Sequence, residues 1–179
     1  QPQVCLLVID VFAVDGDQLL CAALLVLEPA VADRARPQPV PLAQARDLFE
    51  GRIASWKEIG GADVPPFVYD KELGRGTREG FERWAYGTQN PPVPSFDRYA
   101  TVGSNQEGLT KTAGHTGAVT LLSTAWVEAE PKLRALSLRM PDGSVVAPTH
   151  AAVLSGAYPL ARRLNLVTNG PPSPLAKRV

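Results

Sequence analysis

Short, largely apolar runs at 4–9, 22–27 and 118–122 dominate the pattern of this chain. Each is too short for a helix and lacks polar alternation, so each predicts a buried strand. Between the first two, Asp15-Gly16-Asp17 is a turn signal. A different period follows. Leu42, Ala45, Leu48 and Phe49 share one helical face, which predicts a helix over 42–49 with Gly51 at the C′ position. Phe67-Val68-Tyr69 reads as a strand after a loop bracketed by Gly60-Gly61 and Pro65-Pro66. Phe81, Trp84 and Ala85 fall on one face of a helix that ends at Gly87. Ser104 with Glu107 three residues on fits a capping box, opening a helix to Ala113 that Gly114 stops. Pro141-Asp142-Gly143 predicts a hairpin turn between runs at 136–138 and 144–146. A short helix is expected over 149–154, a strand over 164–168, and a helix start from Pro174 with Ser173 as its cap. Residues 29–41, with four prolines, and 88–94 read as irregular connections. Strands alternating with helices predict an α/β architecture with a mixed sheet flanked by helices.

Composition narrows the function classes. The chain has 179 residues, enough for one domain with a sizeable core. Lys plus Arg and Asp plus Glu both number 18, so the net charge is zero, which argues against a general nucleic-acid binder. No apolar run reaches the roughly 20 residues that span a bilayer. The start at Gln1 without methionine leads us to expect a processed form or an excised segment. Cys5 and Cys21 lie on apolar runs, where cysteine packs as a small hydrophobe or, in an exported protein, pairs as a disulfide. No zinc-type spacing is present, and Asp10, Asp15 and Asp17 match no EF-hand loop. No Ser/His/Asp set stands in a nucleophile-elbow context, so the sequence gives no support for an enzyme.

The segment with most chemistry is Gly74-Arg75-Gly76-Thr77-Arg78-Glu79. A glycine-flanked turn opening a helix gathers backbone N–H groups that have no helical partners, where the helix dipole adds partial positive charge. Such a turn suits an oxyanion, and Lys71 and two arginines strengthen that reading. The plainer alternative is a strand-to-helix turn with Thr77 as the N-cap. Arg78 is expected to pair with Glu82 at i+4, Trp56 and Trp84 to be core, and His115 to be exposed.

Four segments together resemble one family. Leu48-Phe49-Glu50-Gly51-Arg52-Ile53-Ala54-Ser55-Trp56, Gly74 through Phe81, Ser104-Asn105-Gln106-Glu107 with Gly117-Ala118-Val119, and Ser155-Gly156-Ala157-Tyr158-Pro159-Leu160-Ala161-Arg162 occur in the order seen in phosphate-binding proteins of bacterial ABC importers. The resemblance implies a type II periplasmic-binding-protein fold, in which two α/β lobes joined by hinge strands close on a small anion. It implies that this chain is a single such domain over 1–179, with a second-lobe core at about 22–147. Residues 1–21 and 148–179 would be hinge or first-lobe segments.

The family pattern carries anion contacts over to Gly76 and Thr77, with Lys71 in the place of an arginine. Arg75 stands where the family has serine. Its long cationic side chain reaches the anion, fills the pocket or turns outward. No Gly/Ser/Thr-rich turn of the first lobe precedes Val4. The ligand set expected is thus Lys71, Arg75, Gly76 and Thr77, holding phosphate or a related oxyanion, without metal or cofactor. The resemblance further implies ABC-importer membrane subunits as partners and an extracytoplasmic place, periplasmic or cell-surface, with a lipid anchor on the full-length protein as one form of it. The alternative function is a single-lobe sensor or protein-interaction module that no longer binds phosphate.

Overall fold

The computed structural model describes residues 12–14, 18–27, 39–88, 91–128, 130–164 and 171. Cys5, and so any Cys5–Cys21 disulfide, lies outside them. So do the expected strand at 4–9, most of the 29–41 connection, the three aspartates, residues 165–168 and the helix from Pro174.

The main sheet runs β1-β2-β6-β4-β5, where β1 is Phe12–Val14, β2 Gln18–Leu27, β4 Phe67–Lys71, β5 Tyr99–Val102 and β6 Ala118–Ser123. β2 is antiparallel to β1 and β6, whereas β4 is parallel to both β5 and β6. The sheet is therefore mixed. Two more strands pair with β2: β7, Arg134–Ala135, and β10, Ala161–Leu164. A small second sheet joins β3 (Val40–Pro41) to β8 (Leu138–Arg139) and β9 (Val145–Val146). Its β8–β9 hairpin turns at the expected Pro141-Asp142-Gly143, where the Asp142 carboxylate accepts from the Ser144 N–H and hydroxyl.

Local signals set the helices. α1 spans Leu42–Phe49 as expected, burying Ala45, Leu48 and Phe49. α2 spans Gly76–Tyr86 and ends at Gly87, which takes a left-handed conformation. α3 spans Asn105–Ala113, with the Ser104 hydroxyl accepting from the Glu107 N–H. The Glu107 carboxylate reaches one residue further back than a capping box, to the Gly103 N–H. Two short helices, α4 (Thr124–Glu128) and α5 (His150–Leu154, capped by Thr149), and a 3-10 helix at Trp56–Ile59 complete the described elements.

Connectivity determines where the site falls. α2 carries the chain from β4 to β5, and α3 carries it from β5 back past β4 to β6. The chain thus reverses direction across the sheet after β5, the neighbour of β4. In open α/β sheets, such a reversal opens a crevice beyond the carboxyl ends of the strands. The turn holding Gly74 and Gly76 lies at that end of β4. Alternate side chains of a strand face opposite sides of its sheet. Accordingly Asp70 meets α2 residues, while Tyr69 and Lys71 meet residues in and around α3.

The opposite end of β4 is closed by packing. Trp56 is buried and its indole N–H donates to Gly117 O at 2.8 Å. Gly117 has φ +86°, and a Cβ there would lie 2.6 Å from Pro65 O. Trp56 is therefore core, as expected, and Trp84 packs against that core from a partly exposed position.

Candidate functional site: the turn after β4

The turn between β4 and α2 presents three backbone N–H groups, those of Gly76, Thr77 and Arg78, that no earlier helical carbonyl can satisfy. The first closed bond of the helix is Glu79 N–H to Arg75 O at 2.9 Å. Gly74, at φ +79°, lets the chain reverse into this turn with open space where a Cβ would stand. The N-cap is Arg75, with extended backbone and no capping bond from its side chain. This corrects the alternative in which Thr77 caps the helix. Thr77 lies inside the first turn and is 8% exposed.

Lys71 ends β4 and is almost fully buried, with 1% exposure. Its ammonium donates to Ser104 O, at the N-cap of α3, at 2.9 Å. It also lies 3.0 Å from where a Cβ on Gly108 would stand, so glycine at that helical position leaves room for the charge. Its pKa is lowered to about 8, first by burial and then by the Arg75 charge, with Glu107, Asp70 and Glu72 working the other way. Lys71 is thus a cation held next to its neutralisation point.

Arg75 turns outward. Its guanidinium pairs with Glu72, through Nη2 at 3.1 Å and Nε at 3.3 Å, and both side chains are about half exposed. Of the three orientations open to it from sequence, the structure adopts the third. A solvent-exposed pair of this kind contributes little to stability.

The sequence pairs Arg78 with Glu82 at i+4. That pair exists, at 2.6 Å, but both partners are buried. The Arg78 side chain runs back beneath the turn to donate to Lys71 O at 2.7 Å and to pair with Asp70 Oδ2 at 3.0 Å. Asp70 also accepts from the Tyr99 hydroxyl at 2.8 Å and from the Lys71 N–H at 2.7 Å. Burial pushes the Asp70 carboxyl up despite Arg78 beside it. Burial and the Asp70 charge push the Tyr99 hydroxyl up to about 12. A cavity of about 10 Å³ beside Asp70, Arg78 and Glu82 has room for at most one water. Asp70 and Tyr99 went unremarked in the sequence. The available signal was Asp70 itself, a carboxylate inside a short strand.

His115 also departs from expectation. It is half-buried, with Nδ1 2.9 Å from the Tyr69 hydroxyl and its ring 4.7 Å from that of Phe67.

Comparison with known proteins agrees with this architecture. No protein-family model matches the chain. The phosphate-binding protein PstS of Bacillus subtilis (strain 168) is 26% identical over 184 positions, covering 94% of this chain and 55% of that protein. An ABC-type phosphate transport receptor from Vibrio cholerae superposes with a TM-score of 0.66 at 23% identity, over 80% of this chain and 55% of the receptor. A putative phosphate ABC transporter substrate-binding protein from Clostridium perfringens, solved with bound phosphate, gives 0.63 at 22%, over 80% and 54%. The chain therefore spans about half the length of the relatives it matches. Sequence and fold agree on one kinship: the chain has a type II periplasmic-binding-protein-like α/β fold and resembles the PstS-like phosphate-binding receptors of ABC importers over about half of their length.

Proposed function

We propose that this chain is the oxyanion-binding lobe of a solute-binding protein serving an ABC importer, with phosphate or a close analogue as ligand. One observation carries the reading. The free N–H groups of the α2 first turn and the buried Lys71 ammonium lie at the same carboxyl end of β4, beside β5, after which the chain reverses across the sheet. Gly76 and Thr77 offer neutral donors, and Lys71 offers the charge. Arg75 is poised at the rim, and exchanging Glu72 for the anion needs only the opening of an exposed ion pair.

In this reading the chain binds and does not catalyse. Residues 1–179 form one domain, with 22–147 its second-lobe core and the flanking segments hinge-like, and a further lobe completes the clamp. Closure of two lobes would desolvate the anion between them. The setting is extracytoplasmic, and the partners are the importer's membrane subunits. Among the described residues no helix is long and apolar enough to cross a membrane.

Calorimetric titration of the full-length polypeptide with phosphate, sulfate and molybdate tests the proposal. Saturable binding at micromolar or lower concentration is expected. Thr77→Val keeps the shape and removes one hydroxyl donor to a charged ligand, so affinity should fall by about 10-fold or more. Absence of binding by all three anions would overturn the reading in favour of the sensor or interaction module.

Gly108→Ala should separate stability from binding. Alanine in a helix interior gains about 0.5–1 kcal/mol over glycine. The new Cβ would make ordinary contact with Thr120 Oγ1 and Val102 Cγ2, both at 3.5 Å, and crowd the tip of the flexible Lys71 side chain, at 3.0 Å, shifting it. Unfolding midpoints should hold or rise while phosphate affinity drops.

A further inference from the structure

The buried network under the turn has no place in the ligand set, yet it reaches both ends of it. Arg78 belongs to the first turn of α2, and its guanidinium bonds back to Lys71 O, the last carbonyl of β4, at 2.7 Å. The same group pairs with Asp70 at 3.0 Å and Glu82 at 2.6 Å. Asp70 is itself fixed to β5 by the Tyr99 hydroxyl and to its own strand by the Lys71 N–H. A single planar guanidinium thus clamps strand end, helix start and neighbouring strand together. The turn between these clamps contains Gly74 and Gly76, residues that hold no conformation by themselves.

We infer that Arg78 and Asp70 are positioning residues for anion recognition: they fix the β4–α2 turn from behind so that the Gly76 and Thr77 N–H groups stay directed into the crevice beyond the carboxyl end of β4, the strand that Lys71 ends. The inference rests on the oxyanion-binding reading. Lysine cannot reproduce the role, because a compact ammonium lacks the fork that reaches Lys71 O, Asp70 and Glu82 at once. The network also explains why Arg75 is free to face solvent. The cation that holds the turn is the one three residues later.

The test compares Arg78→Lys and Asp70→Asn with Leu138→Ala, a core truncation in the second sheet that destabilises the fold without touching the turn. Phosphate affinity is measured by calorimetry, and amide exchange is followed at Glu79, whose N–H closes the first turn on Arg75 O, and at Leu121 in β6. Both network variants should lose about 10-fold or more in phosphate affinity, and their exchange should quicken more at Glu79 than at Leu121, which reports the global loss of stability. Leu138→Ala should melt earlier yet bind phosphate as before. Wild-type affinity in both network variants, or a loss no larger than in Leu138→Ala, would overturn the positioning role while leaving the binding reading intact. Should the unaltered protein bind no anion, the binding reading fails, and unchanged Glu79 exchange in Arg78→Lys would overturn the ordering of the turn as well.

Discussion

Arg78→Met will destabilise this protein by about 3–5 kcal/mol, the cost of leaving buried charge without its partner. The arginine is 3% exposed and pairs with Asp70 and Glu82, both buried. Methionine fills much of the volume but compensates neither carboxylate, and it strips a hydrogen bond from Lys71 O. The loss should depend on pH in a defined direction. Burial already raises the folded-state pKa of Asp70, and removing Arg78 raises it further. A carboxyl raised on folding favours the folded state at low pH and penalises it once ionised. The deficit of Arg78→Met relative to the parent should therefore shrink as pH falls toward about 5. Urea unfolding followed by tryptophan fluorescence at several pH values measures it. A deficit under about 1 kcal/mol, or one that grows in acid, would contradict the buried network.

Anion affinity will fall as pH rises through about 8, because the Lys71 ammonium loses its proton there. Phosphate keeps its dianionic charge between about pH 8 and 10, so the ligand does not cause the change. If only the protonated lysine binds, affinity drops by about 10-fold per pH unit above the pKa, close to 30-fold by about pH 9.5. Binding in this range should take up a proton, visible as a buffer-dependent calorimetric enthalpy. Lys71→Met should bind weakly and lose the pH dependence. Stability runs the opposite way. The folded-state pKa of about 8 lies below the ordinary 10.5, so between these values the unfolded chain holds more protons. Stability of the parent relative to Lys71→Met should accordingly rise across that window, by up to about 3 kcal/mol. Flat affinity from about pH 7 to 10 would remove Lys71 from the ligand set.

These two expectations show how unevenly the site was legible in the sequence. Lys71, Gly76 and Thr77 stood out because a glycine turn before an amphipathic helix is a local signal, and local signals survive folding. Arg78 was visible as one of the two arginines of the turn and as an i+4 partner of Glu82. A sequence gives that spacing but not the exposure, and exposure separates a surface pair of small effect from a buried one whose rupture costs several kcal/mol. Asp70 and Tyr99 enter through neighbouring strands, and no spacing along the chain announces that. His115 was missed for the same reason, since Phe67 and Tyr69 meet it only after α3 has returned the chain to β6.

What the sequence determined by itself was the set of elements and their ends. The helices over 42–49 and 105–113, the capping Ser104, the left-handed Gly87 and the hairpin at Asp142 all follow from side-chain period, hydrogen-bonding caps and glycine, interactions spanning a few residues. The order of four motifs carried the kinship. Only the tertiary structure decided which way the charged residues point. β4 runs on to Lys71, two residues beyond the expected strand, and each added residue is sent to an opposite face of the sheet. Asp70 is buried against Arg78 of α2, and Lys71 is buried beside Gly108 of α3. Burial in two different environments makes one a structural anchor and the other a cation at its neutralisation point, because desolvation penalties depend on what surrounds a charge and not on its neighbours in the chain.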